Sequence, residues 1–433
     1  LGKEGHDITI VDKNRERISQ VSNIYDVMGI VGNGASYKIL QEAGIDDADL
    51  IIAVTGSDEL NLLCCTIATQ VGNCAAIARV RTPEYSQEAK YLRDKLGLAL
   101  IINPELEAAI EMAHILHLPS SLEVTNFAHG QAQLIKYEIP EGSILDGTKL
   151  MDLGTRHHAN ILIGAVERDD EVTIPSGDFV LRKGDKLSFV GERKHTKEFF
   201  SHIGVNTHSV KNTLIIGGGK AAYYLAKQLI SRGIKVKIIE NSFERCEELS
   251  ILLPDAVIIN GDGTEQALLK EEGIETCQSF VPLTGIDEEN IMLTLYAKQV
   301  SNAKVITKLN RITFTNVINS LDLGSVISPK YITSEAIIAY VRAKKNSMNC
   351  NIETLYHMYD SRVEAIEFFV SENSNVTDIP LRDLKLKKHL LICFINRNGK
   401  IIIPTGNDSI QKNDTVMIIT THTGFTNLQD IME

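Results

Sequence analysis

A glycine-rich segment near the middle of the chain is the clearest candidate for chemistry. In "LIIGGGKAAYYLA", from Leu214 to Ala226, a short apolar strand pattern runs through three glycines into a helix pattern. Gly217 and Gly219 occupy the first two glycine positions of G-x-G-x-x-G, where the chain must turn tightly and its backbone must approach a pyrophosphate. Ala222 takes the third position. This pattern predicts a phosphate-binding loop; the alternative is a tight turn that binds nothing.

An acidic residue follows at the distance that a dinucleotide site requires. Glu240 closes the next strand pattern about twenty residues later, where a carboxylate can accept hydrogen bonds from ribose hydroxyls. Asp12 holds the corresponding place in a second, related segment near the start of the chain. Both acids would repel a 2′-phosphate, so NAD or an adenine nucleotide is favoured over NADP.

The related segment is part of an internal repeat. "GHDITIVDKNRER" from Gly5 resembles "GIKVKIIENSFER" from Gly233, and "TGSDELN" from Thr55 resembles "TGIDEEN" from Thr284. The similarity extends to "IPSGDFVLRKGD" from Ile174 and "IPTGNDSIQKND" from Ile403, a spacing of 403 − 174 = 229 residues. The chain therefore has the order A-B-A′-B′, with a duplicated unit of two parts.

The A parts alternate short β-branched strand patterns with amphipathic helix patterns. This alternation predicts an α/β fold with two Rossmann-type, doubly wound parallel sheets, each followed by a small α+β module. We place the Rossmann-type domains at residues 1–120 and 207–346 and the modules at 121–206 and 347–433. Residue 1 aligns with Leu229, so the first copy has no counterpart of 213–228. We expect its first strand and glycine loop to be missing from this sequence, whose beginning does not resemble a signal peptide.

Further site candidates come in pairs, one from each repeat. They are the turns with Gly32, Asn33 and Gly34 or with Gly261 and Asp262, the threonines Thr55 and Thr284, and the cations Arg79 and Lys308. The turns follow strands near the expected adenosine, or they are simply turns that need positive φ. The threonines either contact ligand or help to cap the next helix. The cations either reach a phosphate or are surface charges.

Composition and missing motifs narrow the class of protein. The formal charge is −12 with no basic block, which disfavours nucleic-acid binding, and no apolar run is long enough to span a bilayer. The seven cysteines form no C-x-x-C pair and are expected to be small core residues in a reducing cytosol. His157 and His158 are adjacent, so joint metal ligation is not expected. We find no catalytic constellation and predict that the protein is not an enzyme; a nicotinamide-dependent dehydrogenase is the alternative.

The chain resembles the TrkA family of regulatory subunits of Trk-type potassium transporters, which carry tandem RCK (KTN) domains. The resemblance rests on "ITIVDKNRER", "AGIDDADLIIAVTGSDELN", "ARVRTPEY", "IIGGGKAAYYLA", "INGDGTEQALLKEEGI" and the "IPSGD" and "IPTGN" segments, and it covers essentially the whole chain. The repeated order of the domains is more specific than any single motif.

The resemblance implies a cytoplasmic, peripheral regulator that gates a membrane potassium-translocating subunit. It implies NAD(H) and ATP or ADP as ligands, and a homo-oligomer, a dimer or tetramer, that forms a ring of RCK domains. It implies neither nucleic-acid binding nor direct membrane insertion. The alternative within the same class is a sensor of nucleotides or of cyclic di-AMP that acts on another cation channel or transporter.

Overall fold

The structure is a computed structural model that describes residues 1–118, 121–156, 160–205, 208–311, 318, 321–345, 352–359, 361–371 and 375–433. His157, His158 and Cys350 lie outside these residues. Contacts divide the chain into two compact units, Leu1–Glu107 and Ala108–Glu433. In the described part of the chain, no helix combines the length and the apolar character that crossing a membrane would need.

The first unit contains the first Rossmann-type domain. Its elements are β1 (Thr9–Asp12), α1 (Arg15–Tyr25), β2 (Met28–Val31), α2 (Tyr37–Glu42), β3 (Leu50–Ala53), α3 (Asp58–Val71), β4 (Ala75–Arg79), α4 (Pro83–Gln87), α5 (Ala89–Leu96) and β5 (Leu100–Ile102). Within residues 1–107 the strands form two separate parallel sheets, β1-β2 and β3-β4-β5. Cys64 and Cys65 of α3 lie in the core between helix and sheet.

The first C-terminal module follows α6 (Pro104–His117). Its elements are β6 (Glu123–Phe127), β7 (Ala132–Glu138), α7 (Leu153–Arg156), β8 (Leu162–Arg168), β9 (Glu171–Thr173), β10 (Lys186–Glu192) and α8 (Arg193–His202). The strands pair antiparallel in the order β6-β7-β10-β8-β9. Phe199 and Phe200 of α8 pack on this sheet, because Phe189 and Tyr137 meet them edge to face.

The second Rossmann-type domain has one continuous sheet. Its elements are β11 (Asn212–Ile216), α9 (Lys220–Ile230), β12 (Lys235–Glu240), α10 (Phe243–Leu252), β13 (Val257–Asn260), α11 (Gln266–Glu271), β14 (Ser279–Pro282), α12 (Asp287–Val300), β15 (Lys304–Lys308), β16 (Ser325–Ile327) and α13 (Pro329–Lys345). The strands are parallel, in the order β13-β12-β11-β14-β15-β16. Here β11 joins β12 to β14, whereas in the first copy the equivalent strands β1 and β3 lie in separate sheets.

The second C-terminal module repeats the sheet of the first. Its strands are β17 (Ile352–Met358), β18 (Val363–Phe369), β19 (Leu390–Arg397), β20 (Lys400–Ile402) and β21 (Thr415–Thr420). They pair antiparallel in the order β17-β18-β21-β19-β20. Short 3-10 helices occur at Gly2–Glu4, Ala128–Gly130, Leu150–Asp152, Leu381–Asp383 and Leu428–Ile431.

The two C-terminal modules share one hydrophobic core. Leu134, Ala165 and Val190 from the first module lie in the same cluster as Cys393 and Met417 from the second. Packing is tight, since a Cβ built on Gly164 would overlap the side chain of Ile419. The two antiparallel sheets therefore pack face to face, as in a sandwich.

The predicted fold class is confirmed. The strand predicted at Lys235–Glu240 has the bounds of β12, and both predicted residue-plus-proline starts open helices, α6 at Pro104 and α13 at Pro329. The described cysteines are free thiols, all buried apart from the partly exposed Cys277, as expected of core residues.

Candidate functional site

The loops that carry the candidate residues of the second copy meet at one edge of its sheet. Because all six strands are parallel, their carboxyl ends lie on the same side. Ile216 pairs with Ile239 and with Pro282, and Glu240 pairs with Asn260. The segments that follow β11 to β15 therefore lie next to one another, as in the crevice where α/β sheets bind ligands.

The three glycines after β11 differ in what the fold requires of them. Gly217 has φ 94°, and a Cβ there would lie 3.2 Å from the carbonyl carbon of Leu283. A Cβ on Gly218 would lie 2.6 Å from Cδ1 of Leu249. Gly219 has φ −66° and ψ −177°, and its Cβ would meet no atom within 4 Å. The fold thus excludes a side chain at Gly217 and leaves little room for one at Gly218, whereas Gly219 faces open space at the start of α9.

Glu240 holds the glycine loop in place. Its Oε2 accepts a 2.6 Å hydrogen bond from the backbone N of Gly218, and its Oε1 accepts one of 2.7 Å from the backbone N of Ser242. Arg245 Nε donates to the carbonyl oxygen of Gly218 at 2.7 Å. The sequence predicted Glu240 as a ribose ligand; the structure adds that it orients the loop, since its carboxylate already binds a loop amide.

The corresponding acid of the first copy lies at the end of β1. Oδ1 of Asp12 accepts a 2.8 Å hydrogen bond from the backbone N of Asn14, which matches the bond from Ser242 to Glu240. Its Oδ2 lies 3.5 Å from NH1 of Arg17, the residue equivalent to Arg245. In both copies the carboxylate therefore accepts a hydrogen bond from the backbone amide two residues ahead. The equivalent arginines differ, since Arg17 pairs with Asp12 whereas Arg245 bonds to Gly218 and Glu248.

The glycine turns after β2 and β13 are required by close packing. None of Gly32, Gly34, Gly261 and Gly263 has positive φ, so the positive-φ alternative is wrong. A Cβ on Gly32 would lie 2.7 Å from Cδ1 of Ile39, and one on Gly261 would lie 2.5 Å from Cδ2 of Leu268. These glycines let the first turns of α2 and α11 approach the strand ends.

The polar residues within these turns bond to their own turn. Oδ1 of Asn33 accepts from the backbone N of Ala35 at 3.2 Å, and Oδ1 of Asp262 accepts from the backbone N of Thr264 at 2.9 Å. The backbone hydrogen bond from Thr264 lowers the pKa of Asp262, and the hydroxyl of Thr264 lowers it further. Both side chains are exposed at the sheet edge with acceptor capacity left for a ligand.

The two threonines have the same partners in both copies. The backbone N of Thr55 donates to Oδ1 of Asn61 at 2.7 Å, and that of Thr284 donates to Oδ1 of Asn290 at 3.0 Å. Their hydroxyls donate to carbonyls two residues ahead, at 3.2 Å and 3.1 Å. These contacts shape the loop that leads into the next helix, whose N-caps are Ser57 and Ile286.

The two cations reach across to the neighbouring loop. NH2 of Arg79 donates to the carbonyl oxygen of Thr55 at 2.6 Å, and Nζ of Lys308 donates to that of Leu283 at 3.1 Å. Burial lowers the pKa of Arg79, and its Nε is buried without a hydrogen-bond partner. Both side chains are half-buried at the sheet edge.

Two pairs of residues that the sequence interpretation missed connect these loops. Nδ2 of Asn61 donates to the carbonyl of Arg79 at 2.9 Å, and Nδ2 of Asn290 donates to that of Lys308 at 3.0 Å. The buried carboxylates of Asp58 and Asp287 accept from backbone amides in the next loop at 2.7 to 2.8 Å. The signal was present, since both pairs lie within the repeated "TGSDELN" and "TGIDEEN".

The arrangement provides groups that can bind a nucleotide. It combines a glycine loop at a helix start, an acid beside that loop and a cation on the far side, which can hold the phosphates and ribose of a nucleotide. Within the described ranges, no three His, Cys, Asp or Glu side chains come together in a way that could hold a metal ion.

The fold and the site define a protein with a duplicated Rossmann-type domain and a C-terminal module after each copy. The family model of the TrkA-N domain matches residues 1–104 and 213–329, and that of the TrkA-C domain matches 134–204 and 365–432. The chain belongs to the TrkA family.

Curated relatives and solved structures agree with this assignment. The Trk system potassium uptake protein TrkA homolog 1 of Methanosarcina mazei is 33% identical over 421 residues, which cover 95% of this chain and 92% of its own. The Trk system potassium uptake protein TrkA of Halomonas elongata is 29% identical over 422 residues, 96% of this chain and 91% of its own. The GsuK RCK domain superimposes with a TM-score of 0.64 at 18% identity, over 97% of this chain and 88% of its own, and thereby shows the same fold. The GsuK channel bound to NAD gives 0.63 at 17% identity, over 97% and 73%.

Proposed function

We propose that this chain is the nucleotide-binding regulatory subunit of a Trk-type potassium uptake system. It binds NAD(H), ATP or ADP at the carboxyl edge of its second Rossmann-type sheet and gates a membrane potassium-translocating subunit. Its relatives are named as potassium uptake proteins, and GsuK, a channel of the same fold, is described as bound to NAD. The site binds a ligand and does not catalyse a reaction.

The unobstructed space beside the backbone of Gly219 is the observation that carries this proposal. Gly219 is the N-cap of α9, where an alanine Cβ would meet no atom of the protein within 4 Å and where φ and ψ suit any residue. Packing and backbone geometry therefore do not require a glycine here, although glycine is one of the residues that favour a helix N-cap. Close approach of a pyrophosphate to the backbone would require it, since a Cβ would occupy the space that the phosphate oxygens need.

The remaining predicted residues have roles that follow from their positions. Glu240 fixes the glycine loop and has lone pairs left to accept ribose hydroxyls. Lys308 stands beside the loop after β14 and supplies positive charge to a phosphate. Asp12, Gly32, Thr55 and Arg79 provide the equivalent groups of the first copy.

The coupling of nucleotide to transport is a shift of populations. A nucleotide that binds one arrangement of the oligomeric ring more tightly biases the ring toward it by the difference in binding free energy, typically about 1–3 kcal/mol. The chain acts at the cytoplasmic face of the membrane through its partner.

A matched pair of glycine variants tests the binding site. Gly219→Ala should weaken binding of NADH or ADP at least tenfold in calorimetry, because its Cβ enters the phosphate site, and should leave the unfolding midpoint nearly unchanged. Gly154→Ala, whose Cβ also meets no atom within 4 Å, should change neither quantity. Wild-type affinity in Gly219→Ala would contradict the site, and an absence of binding of NADH, NAD, ATP and ADP to the wild-type protein would contradict nucleotide sensing.

The regulatory part of the proposal is tested by transport. Vesicles that contain the membrane subunit and this chain should take up potassium at different rates with saturating nucleotide and with none. Equal rates would refute gating even if the nucleotide binds.

A further inference from the structure

Basic side chains gather where the first C-terminal module adjoins the second Rossmann-type domain. They come from the end of α6, the start of α8 and the turn after α9, and they are His114, His117, Arg193, Lys197 and Arg232. NH1 of Arg232 donates to the carbonyl oxygen of Ala113 at 3.1 Å, which fixes this guanidinium against α6. Such a concentration of positive charge is unusual in a protein with a net charge of −12.

These side chains lack acidic partners. Burial lowers the pKa of His114 to about 4, and the neighbouring charges that lower it further are Arg232, Arg193 and His117. Burial also lowers the pKa of His117 and of Arg232, and the charges that act on them are again basic. Among the described residues, the ion pair on α8 joins Lys194 to Glu198 at 3.9 Å, and no ion pair reaches these five side chains.

In the second C-terminal module the equivalent basic residue has acidic partners. Arg342 of α13 occupies the helix position of His117 in α6, counted from the proline that opens each helix, and it binds both oxygens of Glu364. The strand position of Glu364 is taken in the first module by Gln133, and the helix position of Glu335 is taken by Ile110. The acids that neutralise the basic residues in one module are thus a neutral amide and an aliphatic side chain in the other.

The chemistry of the cluster selects a phosphate group. Two guanidinium groups and an ammonium group are suited to a dianion, and the imidazoles gain charge when a negative ligand arrives. Arg193 is also the first residue of the ten-residue helix α8, whose positive end adds to the field. A small ligand is favoured over a macromolecule, because the histidines are only partly exposed.

We propose that this junction is a second anion site, which binds a small phosphate-bearing ligand between α6, α8 and the end of α9. Bound there, the ligand would offset the charges of Arg193, Lys197 and Arg232 and hold the first C-terminal module to the second Rossmann-type domain. The site is separate from the glycine loop, and the proposal does not depend on nucleotide binding there.

Histidine signals provide a local measurement. The full-length protein, labelled in its histidine rings, is titrated with sodium pyrophosphate and followed by NMR. The His114 and His117 signals should shift with saturation, and the apparent pKa of both rings should rise. Gly219→Ala should retain this response, which separates it from phosphate binding at the glycine loop. No shift of either signal would overturn the proposal.

Charge-matched variants complete the test. Arg193→Gln combined with Arg232→Gln should weaken pyrophosphate binding at least tenfold, whereas Arg382→Gln combined with Lys412→Gln, exposed cations of the second module, should change it less than twofold. Arg193→Gln alone, at an exposed side chain without a partner, should give an intermediate loss and guards against misfolding of the double variant. Equal affinity in all variants would overturn the site.

Tighter binding of ADP than of pyrophosphate would support a nucleotide as the phosphate source, and weaker binding would support an inorganic one.

Discussion

The two C-terminal modules have the same sheet order but different interiors. Both contain a bidentate pair between an arginine and a buried aspartate, Arg168 with Asp185 and Arg397 with Asp414. The polar contacts that the first two strands of each sheet make with the preceding helix differ between the modules. The sequence has therefore kept one set of polar contacts through the duplication and exchanged another.

In the second module the divergent cluster is ionic. Glu364 lies 3.0 Å and 3.1 Å from the guanidinium nitrogens of Arg342, and its Oε1 lies 3.3 Å from Nε2 of His357. Nδ1 of His357 lies 3.4 Å from Glu335. Since Arg342 and Glu335 belong to α13, the cluster ties this helix to the first two strands of the sheet.

In the first module the cluster is built from amides. Nδ2 of Asn126, at the position of His357, lies 3.0 Å from Nδ1 of His114, and Nε2 of Gln133 donates to Oδ1 of Asn126 at 3.2 Å. Oε1 of Gln133 is buried without a partner. The difference teaches that this sheet tolerates either neutral or charged groups at the same register.

The largest expected effect is the loss of the acid at the centre of the ionic cluster. Glu364→Ala should reduce the free energy of unfolding by about 3–5 kcal/mol, because it removes the buried carboxylate that contacts both Arg342 and His357. The matched change Gln133→Ala should cost only about 1–2 kcal/mol, because no charge is stranded. Chemical denaturation measures both. Equal losses of unfolding free energy for Glu364→Ala and Gln133→Ala would contradict the difference between the ionic and the neutral cluster.

The second module should lose stability in alkaline solution. Burial alone would lower the pKa of His357, but its hydrogen bonds and charge interactions with Glu335 and Glu364 outweigh burial and raise it to about 9. The contribution of this protonated histidine is complete below pH of about 6.5 and is lost as pH rises through about 9, on the order of 3 kcal/mol. His357→Asn should flatten that part of the stability profile, and an unchanged profile would show that His357 is not charged.

The first module should respond at acid pH instead. The pKa of His114 is lowered to about 4, so the unfolded chain binds this proton more readily than the folded one. Stability should therefore fall as pH decreases from about 6.5 toward 4, by about 2 kcal/mol after allowance for solvent screening. His114→Gln should remove this fall while leaving the alkaline profile intact. A common pH profile for His114→Gln and His357→Asn would contradict the comparison.

The smallest effect is expected where the modules agree. Arg168→Lys and Arg397→Lys each replace a bidentate bond to a buried aspartate by a single one, which should cost about 1 kcal/mol in each module. The two losses should match within the error of thermal or chemical unfolding. A clear difference between them would show that the modules are not equivalent even where their contacts are the same.

Much of the second Rossmann-type domain could be predicted from sequence. Short runs of β-branched residues are strands in a buried parallel sheet, and the three glycines followed by a helix pattern could be placed at a strand end. The repeat then transferred each prediction to the first copy. Periodicity and turn chemistry are local properties, so they survive in a single sequence.

Contacts between distant segments could not be predicted in this way. The hydrogen bond from Gly218 to Glu240 depends on the packing of two loops, and the glycine turns proved to need close approach rather than positive φ. The ionic cluster of α13 and β18 joins residues that are 22 positions apart, and sequence pattern gives no sign that they meet. In their local sequence Gln133 and Glu364 differ only in charge. The consequence of that charge appears only once both side chains are buried.

The core that the two C-terminal modules share also bears on how the protein responds to dilution. Modules on separate chains would pair according to their concentration and would part when that concentration fell below the dissociation constant. Here one polypeptide carries both, and the effective concentration of each module for the other is set by the chain that joins them. The pairing therefore persists at any abundance, and a change in the amount of protein alters how many paired units exist but not whether they are paired.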